Sequence, residues 1–109
     1  MLKKIYRLSS VRLIKASYIR SGFMDIKSAR NNLDYPRFGF VISKKIDKRA
    51  VVRNSLKRKL SASVEEIFDR IDGGRDFVFY PKSRIIDLDT GEVKKEIENM
   101  FKKEGFLNA

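Results

Sequence analysis

The stretch between residues 50 and 72 repeats its apolar side chains at three- and four-residue spacing, which places them on one face of a helix. The positions are Val52, Leu56, Leu60, Val64, Ile67, Phe68 and Ile71. Gly73 and Gly74 then supply a stop signal. The spacing predicts a long helix from about Val51 to about Ile71 that packs one face against a core.

Segments on both sides of this helix alternate as strands do. In residues 37–43, Phe38, Phe40 and Ile42 point to one face, and residues 76–80 form a second strand that ends at Pro81. A weaker strand is predicted around four apolar residues, namely Phe23, Met24, Ile26 and Ala29.

Two further helices are predicted. The first runs from about Leu8 to Arg20, on the spacing of Val11, Ile14 and Tyr18. The last begins at a capping box of Asp89 and Glu92 and ends at Gly105, and its apolar stripe is Val93, Ile97, Met100 and Phe101. The predicted fold class is α+β, a two-layer sandwich of one sheet and about three helices. A length of 109 residues fits one domain, 1–109.

Composition excludes several kinds of chemistry. The chain has no Cys and no His, which removes disulfides, thiolate nucleophiles, zinc–thiolate sites and histidine-based catalysis. No run of 18 apolar residues occurs, and the start lacks the apolar stretch of a signal peptide, so we expect a cytoplasmic protein.

The net charge of +11 is unevenly distributed. Residues 1–60 hold 17 Lys and Arg against three Asp, whereas residues 61–109 hold eight basic and 11 acidic residues. Such a strongly positive half predicts a polyanionic partner, with nucleic acid the first candidate and an anionic membrane the second.

The densest positive charge lies in residues 44–59, which we call the basic segment, with eight basic residues and one acidic residue. An ordinary exposed helix would interleave Glu with Lys, and the first turns here contain no acid. Arg53 projects onto the apolar stripe of the helix. Because a guanidinium does not normally point into a core, we expect the sheet to leave the first turn of the helix uncovered. There Arg53 and Asn54 would lie at a helix N-terminus that favours anions.

The chain resembles the bacterial ribonuclease P protein component. The resemblance rests on Arg7-Leu8, Phe40-Val41-Ile42-Ser43-Lys44-Lys45, Arg49-Ala50-Val51-Val52-Arg53-Asn54, Lys57-Arg58 and Gly74-Arg75-Asp76-Phe77-Val78. It implies a central mixed sheet of about four strands, similar to the second domain of a small-subunit ribosomal protein, with a left-handed βαβ crossover. It also implies an accessory subunit that binds the catalytic RNA and the 5′ leader of precursor tRNA.

The resemblance also assigns residues to each partner. The RNA-binding positions are Lys44, Lys45, Arg49, Arg53, Asn54, Lys57 and Arg58. The leader-binding positions are Ile14, Tyr18 and Lys82, although core packing is an equal alternative for Ile14. Ser55 and Ser61 stand where the family is usually basic, so some contacts would move, for instance to Lys59.

No residue is predicted to be catalytic, and no metal site is predicted in the protein. Hydrolysis of RNA by protein groups needs a base near neutrality or clustered carboxylates, and the chain offers neither in its basic half. The resemblance implies Mg²⁺ on the RNA and its substrate. The alternative is a ribosomal or ribosome-assembly RNA-binding protein. A membrane partner is not expected, because no exposed apolar face accompanies the charge. A DNA partner is not expected either, since the resemblance is to an RNA-binding subunit.

Overall fold

A computed structural model describes residues 2–108 as an α+β fold with one four-stranded mixed sheet and two α-helices. The strands are β1 (Ser17–Arg20), β2 (Met24–Arg30), β3 (Arg37–Phe40) and β4 (Arg75–Pro81). The helices are α1 (Ala50–Ile67) and α2 (Thr90–Lys103). Short 3₁₀ turns occupy Lys4–Tyr6, Phe68–Arg70 and Ser83–Asp87.

The strand order across the sheet is β1-β2-β4-β3. β1 with β2, and β2 with β4, pair antiparallel, whereas β3 and β4 pair parallel. Since β3 and β4 are joined through α1, this unit is the parallel crossover that the resemblance implies; its left-handed sense stays a prediction. The predicted fold class of one mixed sheet under a helical layer is confirmed.

One face of the sheet, the inner face, carries the core. Phe38 and Phe77 are register partners whose ring centroids lie 5.7 Å apart, and Phe77 in turn lies 4.7 Å from Phe101 of α2. α1 contributes Leu56, Leu60 and other buried residues of its predicted stripe to the same cluster. Burial of these apolar side chains, each favourable by about 1.5–3 kcal/mol, ties both helices to the inner face.

The long helix ends earlier than its apolar spacing predicts. α1 stops at Ile67 and continues as a 3₁₀ turn, after which Ile71 forms a β-bridge with Leu107. Ile71 is buried at 5% exposure, so its place in the apolar stripe was right although its backbone is not helical. A tertiary pairing with the chain end has replaced the last helical turn.

The prediction of a first helix from Leu8 to Arg20 is wrong, and the described residues contain two α-helices where about three were expected. The Leu8 amide donates to the Phe38 carbonyl at 2.8 Å, which holds the chain extended along β3. Residues 17–20 pair with β2 instead. A helix would gain little from its apolar stripe, because Ile14 and Tyr18 are 82% and 56% exposed.

Residues 9–16 link opposite edges of the sheet, from the segment beside β3 to β1. A Cβ built on Gly39 would lie 3.3 Å from Val11, so this linker lies directly on the outer face of β3. Among the residues described here, no helix is both long and apolar enough to span a membrane.

Candidate nucleic-acid interface

Four of the predicted RNA-binding cations are exposed and have no partner within the described part of the chain. Lys44 and Lys45 follow the extended run of β3, and Lys57 and Arg58 lie on α1. Among residues 2–108, no hydrogen bond or ion pair involves the side chains of these four residues. Their charges are therefore uncompensated by the protein itself, as a site for a polyanion requires.

Arg49 is held by a carboxylate instead. Its Nε and one terminal nitrogen donate to the two oxygens of Asp47 at 3.0 and 2.9 Å, and its backbone N–H donates to Asp47 at 2.8 Å. These hydrogen bonds lower the pKa of Asp47 to about 2 and raise the pKa of Arg49. The pair orders the loop before α1. It also occupies two nitrogens of the Arg49 guanidinium, so fewer donors remain for a partner.

Arg53 has a structural role that the sequence did not reveal. One terminal nitrogen of its guanidinium donates to the carbonyls of Asp47 and Lys48, at 3.0 and 2.8 Å. The side chain is half-buried at the start of α1, in keeping with a first turn that the sheet leaves uncovered. Its Nε and second terminal nitrogen form no hydrogen bond within residues 2–108, so Arg53 can support the loop and still contact a phosphate.

Asn54, Lys57 and Arg58 share one face of α1, because they stand three and four residues apart. Lys59 does not join them, since its Nζ donates to the Leu88 carbonyl at 2.7 Å. Since its ammonium group has two further donors, the expectation that contacts shift to Lys59 stays a prediction. Ser55 is exposed and Ser61 is buried at 8% exposure.

The helix terminus adds to this positive field. Arg49 is the N-cap residue of α1, its side chain makes no capping hydrogen bond, and the first turn contains no acidic residue. Free N–H groups and the helix dipole favour negative charge at such a position. The terminus and the neighbouring cations thus reinforce each other.

The outer face of the sheet presents a second feature, a patch formed by Tyr18, Lys27 and Tyr80. The Lys27 Nζ lies 6.0 Å from the ring centroid of Tyr18 and 5.4 Å from that of Tyr80. The Arg20 guanidinium lies 5.4 Å from the Tyr18 ring. The Tyr18 ring is exposed and the Tyr80 ring is half-buried, and accessible aromatic surface beside cations suits unstacked nucleic-acid bases.

Lys27 and Tyr80 were missed by the sequence analysis. Tyr80 was recognised as part of a strand, but nothing in the local spacing says which strand lies next to it. The antiparallel pairing of β2 with β4 creates the patch, since it places Lys27 opposite Val78, two residues from Tyr80. Such register is set by the whole fold.

Of the three predicted leader-binding residues, Ile14 lies on the linker of residues 9–16 and Tyr18 on β1. The exposure of Ile14 rules out the alternative that it packs in the core. Lys82 follows β4, and its Nζ donates to the Ser21 carbonyl at 2.7 Å and lies 3.3 Å from an Asp25 oxygen. Since an ammonium group has three donors, these contacts do not prevent Lys82 from also meeting an anion.

Metal ligands are sparse in the described structure. No group of three or more Asp or Glu side chains within residues 2–108 is placed to hold a metal ion. The expectation of Mg²⁺ on the RNA stays a prediction.

Comparison with known proteins identifies the family. The family model for Ribonuclease P matches residues 3–105. This chain belongs to the ribonuclease P protein family.

The ribonuclease P protein component of a Bacillus cereus strain is 42% identical over 71 residues, which is 65% of this chain and 61% of the relative. That of a Bacillus anthracis strain is 41% identical over 69 residues, 63% of this chain and 57% of the relative. The matched region thus spans about three fifths of the curated relatives' length.

Solved structures of ribonuclease P proteins share the fold. The protein from Staphylococcus aureus superposes with a TM-score of 0.83 at 22% identity, covering 96% of this chain and 100% of the other. The protein from Thermotoga maritima superposes with a TM-score of 0.76 at 24% identity, covering 82% and 84%. At this identity the likeness concerns the fold.

Proposed function

We propose that the chain is the protein subunit of a ribonuclease P ribonucleoprotein, which removes the 5′ leader of precursor tRNA. Family membership supports the assignment, and the observation that carries the RNA-binding role is the unpartnered group of Lys44, Lys45, Lys57 and Arg58. These cations, with Asn54 and the remaining donors of Arg49 and Arg53, would contact the backbone of the catalytic RNA.

The outer face of the sheet would receive the single-stranded leader of the substrate. Tyr18 and Tyr80 offer rings for stacking, and Lys27 between them offers charge for the backbone. Ile14 adds an exposed apolar contact on the linker, and Lys82 adds a cation beyond β4. Stacking is tolerant of base identity, which suits leaders of differing sequence.

The protein would assist cleavage by positioning rather than by chemistry. The chain has no His, and the one carboxylate within the basic segment, Asp47, is paired with Arg49. Mg²⁺ held by the RNA and substrate would supply the metal chemistry. Binding the leader and the RNA together raises the effective concentration of the scissile bond at that centre.

The direct test is reconstitution of the purified protein with the catalytic RNA and a precursor tRNA at low Mg²⁺. We expect stimulated cleavage at the mature 5′ end. A double variant, Lys44→Ala with Lys45→Ala, should reduce that stimulation. The matched control, Lys102→Ala with Lys103→Ala, removes two exposed charges from the end of α2 and should retain it.

The alternative, a ribosomal or ribosome-assembly protein, shares the charge but has no need of the leader-binding patch. Equal affinity for ribosomal RNA, together with no stimulation of leader cleavage, would favour that alternative. Loss of leader affinity in Tyr18→Ala, with the catalytic RNA bound as before, would support the ribonuclease P role.

A further inference from the structure

A groove lies between the N-terminal residues, β3 and α1, apart from the leader-binding patch. Its volume is 620 Å³, within the range of about 300–1,000 Å³ that is usual for small-molecule sites. One wall is the α1 face that carries Asn54, Lys57, Arg58 and Ser61, at spacings of three, four and seven residues. The other wall is the extended segment paired with β3.

The groove combines an apolar floor with a cationic rim. Leu8, Val11 and Phe40 contribute apolar surface, and Phe40 is only half-buried. The cations of its lining come from both walls, and they are Lys4, Arg7, Lys57 and Arg58. None of the described residues that line the groove is acidic. A purely apolar ligand would leave four cations unpaired, and a bare phosphate would leave the apolar floor exposed.

We propose that this groove captures one unstacked nucleotide of the RNA partner, with its base on the apolar floor and its flanking phosphates on the rim. The inference rests on the proposed function and adds a specific subsite to it. Both halves of a nucleotide then find matching surfaces: the base meets Leu8, Val11 and Phe40, and the phosphates meet cations from two walls. A base-paired nucleotide could not enter, because its base is held in the helical stack.

Ser61 gives the groove its depth on the helix side. It is the fourth member of the α1 face that lines the groove, and it is buried at 8% exposure. A long side chain at this position would project into the space proposed for the base. A substitution at Ser61 that fills this space therefore tests the pocket without removing any charge.

The first experiment titrates the isotope-labelled full-length protein with AMP and follows its backbone amides by NMR. We expect shifts at Leu8, Gly39, Phe40 and Asn54, with binding tighter than that of ribose 5-phosphate, which lacks the base. Ser61→Met should weaken AMP about tenfold, equivalent to about 1.4 kcal/mol. The control, Ser83→Met at an exposed position, should leave the affinity unchanged.

A second variant keeps the proposal testable if Ser61→Met does not fold. Arg58→Ala removes an exposed side chain without a partner in the described structure, so the fold should persist. It should weaken AMP and ribose 5-phosphate while leaving adenosine unaffected. Equal binding of AMP and ribose 5-phosphate to the wild type, or AMP shifts confined to residues 44–49, would overturn the proposal.

Affinity for the catalytic RNA separates this inference from the proposed function. If the wild type stimulates leader cleavage and folded Ser61→Met binds the RNA equally well, the nucleotide subsite is wrong and the ribonuclease P role stands. If the wild type gives no stimulation, the proposed function fails, and the AMP titration still decides whether the groove binds a nucleotide.

Discussion

At the scale of single residues, the arginines of the basic segment differ in how many of their N–H donors the protein itself uses. Arg49 is bound on two nitrogens by Asp47, Arg53 is bound on one by two carbonyls, and Arg58 has no partner in residues 2–108. A planar guanidinium with five N–H donors in a fixed fork allows such division. The sequence predicted all three positions, but it could not show which donors the loop would use.

Replacing Arg53 with Ala should lower both stability and RNA affinity. Loss of its bonds to the Asp47 and Lys48 carbonyls should reduce the free energy of unfolding by about 1–3 kcal/mol. Lys57→Ala is the matched control, since it removes an unpartnered cation and should change stability by less than about 0.5 kcal/mol while also weakening RNA binding. Urea denaturation and filter binding measure the two effects. Equal stability of the two variants would show that the Arg53 bonds contribute nothing.

Acid should release the Asp47–Arg49 pair. The pKa of Asp47 is lowered from 3.8 to about 2, first by the Arg49 side chain and second by the Arg49 backbone N–H. Because the folded-state pKa lies below the unfolded one, the stabilisation is complete above about pH 4 and is lost as the pH falls toward 2. Arg49→Ala should raise the pKa of Asp47 part of the way back, since the backbone donor remains. Carbon-13 NMR of the carboxyl group measures the midpoint, and an unchanged midpoint would assign the whole effect to the backbone.

At the scale of elements, the two helices begin differently. The Asp89 side chain of α2 accepts from the Glu92 backbone at 2.8 Å and the Glu92 side chain accepts from the Asp89 backbone at 3.0 Å, as the sequence predicted. α1 has no such cap and begins among cations. The helix that only supports the fold satisfies its own terminus, whereas the helix of the candidate interface leaves its terminus available.

Asp89→Ala should therefore destabilise the protein by about 0.5–2 kcal/mol without affecting RNA binding. Asp87→Ala, two residues earlier and without a hydrogen bond or ion pair in the described chain, is the matched control and should change stability by less than about 0.5 kcal/mol. Thermal unfolding compares the two. If both variants lower the stability by the same small amount, the hydrogen bonds of the capping box add nothing beyond the loss of one negative charge near the helix N-terminus.

The spacing of apolar residues in the sequence predicted the elements that bury an apolar face in the core. The same spacing gave a wrong prediction for residues 8–20, where apolar side chains such as Ile14 are exposed. The stripe of α1, the alternation of Phe38 with Phe40 and the cap of α2 all report contacts with one core. Residues 8–20 carry apolar side chains at helical spacing, yet their conformation is decided by backbone pairing with β3 and β2. Those partners are distant in the sequence, so no short window contains the information.

At the scale of the whole molecule, the unpartnered cations of the predicted RNA-binding set come from the loop after β3 and from α1. The RNA-facing set is a prediction from charge density and family resemblance together. The patch of Tyr18, Lys27 and Tyr80 needed the sheet order, since its members come from three strands.

The salt dependence of catalytic-RNA affinity should show which lysines contact phosphates. Each lysine that contacts a phosphate adds about one unit to the slope of log affinity against log salt. Lys44→Ala with Lys45→Ala should reduce the slope by about two, and Lys102→Ala with Lys103→Ala should leave it unchanged. Measurement of catalytic-RNA affinity across a salt series tests this, and equal slopes for both double variants would mean that charge acts only through the overall field.

The sheet order also bears on synthesis at the ribosome. β4 is the last strand to be translated, yet both β2 and β3 bond to it and not to each other. Until residue 81 has left the exit tunnel, the nascent chain can form the β1–β2 hairpin and α1, but it cannot join them. The cationic residues of α1 therefore leave the ribosome, whose surface is rich in RNA phosphates, before the strand that joins the two parts of the sheet.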